Sequence, residues 1–117
     1  MYALPQEFDE KCFIGCVLYE IGFNANQIRF CFAPTLSIVV EGELQLWLNE
    51  YEQLSVSAAA PKLELLKLVE STVESVGLDP TRSEFALRFD GDRKLVLLAD
   101  DNYESYRIEK GERTYVV

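Results

Sequence analysis

Residues 58–77 read AAAPKLELLKLVESTVESVG, and the fold class of the chain turns on them. Leu65, Leu66, Val69, Val73 and Val76 recur at spacings of three and four, which sets one apolar stripe along an α-helix. Pro61 suits the first turn of such a helix, where its missing N–H costs nothing. Gly77 suits the C-terminal stop, with Pro80 just beyond. Lys62, Glu64, Lys67, Glu70 and Glu74 fall away from the stripe. The pattern predicts a helix over residues 58–76, with its stripe turned to a core rather than offered as a binding groove.

What that helix would cover reads as sheet. Residues 83–108 are SEFALRFDGDRKLVLLADDNYESYRI. Phe85, Leu87 and Phe89 alternate with Glu84, Ala86 and Arg88, a period of two that places three large apolar side chains on one face of a strand. Asp90-Gly91 suits a tight hairpin turn, because both residues tolerate a left-handed backbone. Leu95 and Leu97 resume the alternation against Lys94 and Val96. Asp100, Asp101 and Asn102 interrupt it, and residues 103–108 restart it with Tyr106 and Ile108 on one face. Lys110-Gly111 makes a last turn into a closing strand, 114–117, paired with 106–108.

Upstream, residues 12–20 are apolar around Gly15 and predict a strand bulged there. Ile28, Phe30 and Phe32 alternate with Arg29 and Cys31, and Pro34-Thr35 turns the chain. Leu36, Ile38 and Val40 alternate again before the Glu41-Gly42 turn. Leu44, Leu46 and Leu48 then share a face, with Trp47 opposite beside Glu43 and Gln45. Residues 49–57 read as loop. Pro5 discourages regular structure in the lead-in, where Phe8 is placed to tuck against the body. Segments spaced at about 8–12 residues with turns between them are the pattern of an antiparallel meander. The expectation is a single domain over residues 1–117 in the α+β class: a curved antiparallel sheet of six to seven strands with one long helix packed on it.

Composition narrows the function by exclusion. A chain of 117 residues can bury a core without disulfides or metals. Its 20 acidic and 11 basic residues give a net charge of −9. Nucleic-acid binding needs basic side chains to replace counterions on phosphates, so this balance argues against it, and against anionic membranes. No apolar run approaches the roughly 20 residues that span a bilayer. The first residues lack a basic region followed by an apolar core, which predicts a cytoplasmic protein.

The chain has three cysteines and no histidine. An odd cysteine count argues against a closed disulfide framework. Cys16 and Cys31 sit among apolar neighbours, where a free thiol behaves as a small hydrophobe. Without histidine, Ser-His-Asp and Cys-His systems are impossible, and a four-ligand zinc site lacks donors. No Gly-rich phosphate loop is present. Asp90 and Asp92 flank a glycine, but the rest of a calcium-loop spacing is missing. Carboxylates are plentiful enough for acid–base work, yet no pair stands out from solvated charge. The chain therefore reads as a non-enzyme without cofactor or metal.

Two acidic stretches bear on binding. Residues 34–61 contain no Lys or Arg but hold Glu41, Glu43, Glu50 and Glu52 around Trp47. Tryptophan is enriched at interface hot spots, so an aromatic beside carboxylates on a sheet reads as a protein-binding patch. The alternative buries Trp47 under the helix. The second stretch is Asp100, Asp101 and Glu104, either a partner contact or a solvated loop.

A strand ending in Phe89-Asp90-Gly91, the apolar run from Leu95 to Leu98, the acidic pair Asp100-Asp101 and then Tyr103-Glu104-Ser105-Tyr106-Arg107-Ile108 together resemble a group of small β-rich bacterial proteins. Ile14-Gly15 and Gln27-Ile28-Arg29-Phe30-Cys31-Phe32 are similar to that group's opening strands, while residues 49–79 have no counterpart in it. Such groups resemble immunity proteins of contact-dependent growth inhibition systems. The resemblance implies a toxin domain as the partner and brings no catalytic residues.

The functional expectation is a binding protein that neutralises a cognate toxin, such as a basic nuclease. Carboxylates would imitate the phosphates of the toxin's substrate and speed association. The candidate contacts are Glu41, Glu43, Trp47, Glu50, Asp100, Asp101 and Glu104. The rival is a small-ligand or structural module with an apolar pocket lined by Phe30, Phe32 and Phe85. The sequence leaves the oligomeric state open.

Overall fold

The computed structural model describes residues 3–100 and 104–117. Among these residues the regular structure is ten strands and two short 3₁₀ turns. In chain order the strands are β1 (Leu18–Phe23), β2 (Ile28–Phe32), β3 (Leu36–Val40), β4 (Leu44–Trp47), β5 (Gln53–Val56), β6 (Val73–Leu78), β7 (Phe85–Phe89), β8 (Lys94–Leu97), β9 (Tyr106–Lys110) and β10 (Arg113–Val116). They form two antiparallel five-stranded sheets, ordered β1-β2-β3-β9-β10 and β5-β4-β8-β7-β6.

Alternation places the core between the sheets. Ile28, Phe30 and Phe32 of β2, Ile38 and Val40 of β3, and Ile108 of β9 face Leu44 and Leu46 of β4, Phe85, Leu87 and Phe89 of β7, and Leu95 and Leu97 of β8 in one apolar cluster. Phe32 and Phe89 meet across it with ring centroids 6.4 Å apart. Phe13 wedges edge-on against Phe32 and Phe85 at 5.2 and 5.5 Å. Along one side the two sheets are tied by backbone bonds from Leu18 to Ser71 and from Val73 to Cys16. An isolated antiparallel bridge between Val17 and Thr72 lies between them.

The expected long helix is absent, and the α+β class is corrected to two sheets with no long helix among the described residues. Residues Leu63–Leu68 make a short 3₁₀ turn, and β6 follows as the edge of the second sheet. The three-residue repeat of a 3₁₀ turn puts Leu65 and Leu68 on one side, and both are buried. Leu66, central to the expected stripe, is 49% exposed. Glu70 takes a left-handed φ of 75°, which ends any helical path. Val69, Thr72, Val73 and Val76 are β-branched and favour the pleated conformation that β6 adopts against β7.

Other expectations shift as well. The strand count rises above six to seven because residues 49–57 contain β5 and the supposed helix contains β6. Residues Glu10–Phe13 form a 3₁₀ turn instead of a strand, and Gly15 is left-handed at φ 86°. The β7–β8 hairpin forms as expected, with Phe85 opposite Leu97. Its left-handed pair is Gly91 (φ 80°) and Asp92 (φ 65°), one residue later than expected. Asp90 instead brackets Thr72, whose N–H donates to its carboxylate at 3.0 Å. The closing strand β10 pairs with β9.

The lead-in is held by one side chain. The Arg82 guanidinium donates to the carbonyls of Leu4, Pro5 and Phe8 at 3.1, 3.1 and 2.9 Å. Leu4 and Phe8 are thereby buried, and the Phe8 ring packs on Tyr115 and Phe85.

Candidate functional site

Ser105 organises one end of the sandwich. Its carbonyl accepts from the N–H groups of Glu41 and Gly42 at 2.8 and 2.9 Å. Its hydroxyl accepts from the N–H of Asp100 at 2.8 Å, and its own N–H donates to Val117 at 2.7 Å. The serine is buried, with its carbonyl, N–H and hydroxyl oxygen all hydrogen-bonded. Gly42 makes the approach feasible, because a Cβ there would stand 3.3 Å from the Ser105 Cβ. The β3–β4 turn is thus pinned to the segment entering β9.

That contact brings four sequence-predicted residues to one end: Glu41, Glu43, Asp100 and Glu104. The two acidic stretches, separated by more than 50 residues of chain, become neighbours. Glu41 is partly neutralised, accepting from Arg107 at 3.3 Å and from Gln27 at 3.3 Å. Glu43 and Glu104 are exposed and form no ion pair among the described residues. Asp100 is half-buried, and Asp101 lies outside the described residues. A shallow recess of about 300 Å³ runs beside Asn26, Glu41, Gly42, Glu43 and Ser57.

Trp47 and Glu50 do not join this end. Glu43 and Trp47 share a strand face, as alternation requires, but four residues of β4 separate them by about 13 Å. Among the described residues no helix covers Trp47. The Lys94 ammonium lies 5.1 Å from its ring centre, and its indole N–H donates to Gln45 at 3.4 Å. Its neighbours are therefore cationic as well as acidic. A recess of about 190 Å³ is lined by Trp47, Asn49, Glu50, Arg88, Asp92 and Lys94. Arg88 and Lys94 escape sequence reasoning because they reach Trp47 only through strand register. Ser105 escapes it because a serine beside charged residues looks solvated.

A third polar cluster lies on the outer face of the first sheet. Glu109 accepts from Arg29 at 2.7 Å, from Ser37 at 2.8 Å and from Arg107 at 3.3 Å. The Ser37 hydroxyl and the two guanidiniums hold its carboxyl below the usual range against some desolvation. Val39, fully buried on this outer face, has Arg29 and Arg107 as its cross-strand neighbours. Long arginine stems suit that cover, so the cluster reads as architecture.

The interior offers no ligand chamber at the expected aromatics. Phe30, Phe32 and Phe85 are fully buried within the packed cluster. Burial raises the pKa of all three cysteine thiols, which keeps them protonated near neutrality. Among the described residues no three Cys, Asp or Glu side chains converge to hold a metal ion. Among the same residues no helix is long and apolar enough to cross a membrane.

Comparison of the chain with protein-family models, curated proteins and solved structures finds no match. Fold and site together define a small antiparallel β-sandwich with a carboxylate-bearing end built on a buried serine.

Proposed function

We propose that this chain is a non-enzymatic binding protein of the cytoplasm that captures a basic protein partner at the Ser105 end. The partner that best fits is a toxin domain with a cationic substrate groove, such as a nuclease, which makes the chain an immunity protein. One observation carries the reading: Ser105 fixes the β3–β4 turn against the segment entering β9, so Glu41, Glu43, Asp100 and Glu104 share one rim. A fixed rim presents charge without the entropy cost of ordering it on binding. A net charge of −9 adds long-range attraction for a cationic partner. The packed interior at Phe30, Phe32 and Phe85 lends the apolar-pocket reading less support.

The test uses the protein encoded beside this one and measures association rates at two salt concentrations. The proposal expects rapid association that slows steeply with salt. It also expects Glu43→Gln with Glu104→Gln to slow association by about tenfold at low salt. Binding indifferent to salt and to the double variant, or no binding, overturns it.

A further inference from the structure

The outer face of the second sheet carries a different chemistry from the acidic end. Register places Gln53, Trp47, Lys94, Arg88 and Ser75 in one row across all five strands. Next to it runs a second row, Ser55, Gln45, Val96, Ala86 and Gly77, whose last three members have small or short side chains. The result is a flat floor with an aromatic ring and two cations standing along one side.

The two cations are the unusual feature. Arg88 and Lys94 sit directly opposite each other on β7 and β8. Like charges in that position repel. Neither cation is in an ion pair among the described residues, where only Arg29, Arg82 and Arg107 are, so what marks Arg88 and Lys94 is their direct cross-strand opposition. Both cations line the Trp47 recess, and Arg88 also lines the adjoining recess of about 430 Å³ with Asn49, Glu50, Tyr51 and Asp92. Glu50 and Asp92 stand exposed at its rim.

We infer that this recess binds a small anionic sugar, meaning a sugar ring bearing one phosphate or carboxylate group. The anion sits between Arg88 and Lys94, where it relieves their repulsion and takes charge-assisted hydrogen bonds. The sugar ring packs beside Trp47, whose ring carries the Lys94 ammonium 5.1 Å from its centre. Glu50 and Asp92 are acceptor-only groups, so they suit the ring's hydroxyl donors and would repel a bare polyanion. The Trp47 recess of about 190 Å³ takes the anion, and the adjoining recess of about 430 Å³ is in the range that small-molecule sites occupy. The site is independent of the Ser105 end, since β4 separates the two.

Trp47 is the chain's single tryptophan, so its fluorescence reports this recess alone. The intact protein is titrated with glucose 6-phosphate, glucuronate, glucose and inorganic phosphate. Saturable change with glucose 6-phosphate or glucuronate is expected, and which of the two binds tighter identifies the anionic group. Glucose and inorganic phosphate should each bind at least tenfold more weakly than the better anionic sugar. Arg88→Gln, at an exposed side chain, and Lys94→Gln, at a half-buried one, should each weaken binding by about tenfold or more, and the thermal transition should stay in place for Arg88→Gln. No saturable change into the tens of millimolar overturns the inference. So does equal binding of inorganic phosphate or of glucose, and so does affinity unaltered in both variants.

Discussion

Replacing Arg82 with alanine should detach the N-terminal lead-in and cost about 2–4 kcal/mol of stability. The guanidinium holds three carbonyls, those of Leu4, Pro5 and Phe8. A hydrogen bond to a charged group contributes about 1.5–3 kcal/mol, so three sum to about 5 kcal/mol at the low end. They share one side chain that is 17% exposed, and shared bonds do not add fully, which brings the expectation to about 2–4 kcal/mol. The weak Glu10 contact at 3.8 Å adds little. With an m-value of about 2 kcal/mol/M, the urea midpoint falls by about 1–2 M. The Leu4 amide, which donates to the Arg82 carbonyl at 2.8 Å, should lose its protection from hydrogen exchange. Arg82 also occupies a left-handed φ of 59°. Arg82→Gly relieves that strain and should be less destabilising than Arg82→Ala by about 1 kcal/mol. A midpoint shift under about 0.3 M for Arg82→Ala, with Leu4 still protected, would refute the clamp.

Three further outcomes follow from single contacts. Tyr106→Phe removes the hydroxyl that donates to the Ser83 carbonyl at 2.8 Å in a buried setting, and should cost about 1–2 kcal/mol in urea denaturation. The Asp79 carboxyl accepts from the Thr81 hydroxyl and from the N–H groups of Glu84 and Ser83, which bring its pKa down to about 2. Its folded value lies below its unfolded one, so its contribution is full above about pH 4 and fades as pH falls toward 2. Asp79→Ala should therefore flatten that part of the acid stability curve. Gly42→Ala forces a Cβ to 3.3 Å from that of Ser105 and should lower the melting temperature by several degrees. It should also shift the Ser105 and Asp100 amide resonances.

The parts of this fold legible in the sequence are those whose signals are local. Phe85, Leu87 and Phe89, a turn-forming Asp-Gly-Asp, then Leu95 and Leu97 specify a hairpin without help from the rest of the chain. Residues 58–77 show the opposite case. Their apolar spacing fits a helix, but Leu65 and Leu68 belong to a 3₁₀ turn while Val73 belongs to a strand, so the single stripe spans two elements. The β-branched run Val69, Thr72, Val73 and Val76 was the signal favouring sheet. The alternation around Trp47 was legible, whereas its cationic neighbours were not, since Lys94 and Arg88 arrive from strands more than 40 residues away. Glu41 and Glu43 are legible as carboxylates around Trp47 in a segment free of Lys and Arg, and Asp100 and Glu104 as a second acidic stretch. That they form one rim depends on Ser105, whose role rests on backbone bonds that composition does not encode.

The most direct test of the account is an amide chemical-shift map of the isotope-labelled protein as the proposed partner, the protein encoded beside it, is added. The account predicts that the largest changes fall on residues 41–43, 100 and 104–105, and shrink as salt is raised. Changes centred instead on the outer face of the first sheet around Arg29 and Glu109, with the Ser105 end unmoved, would contradict it.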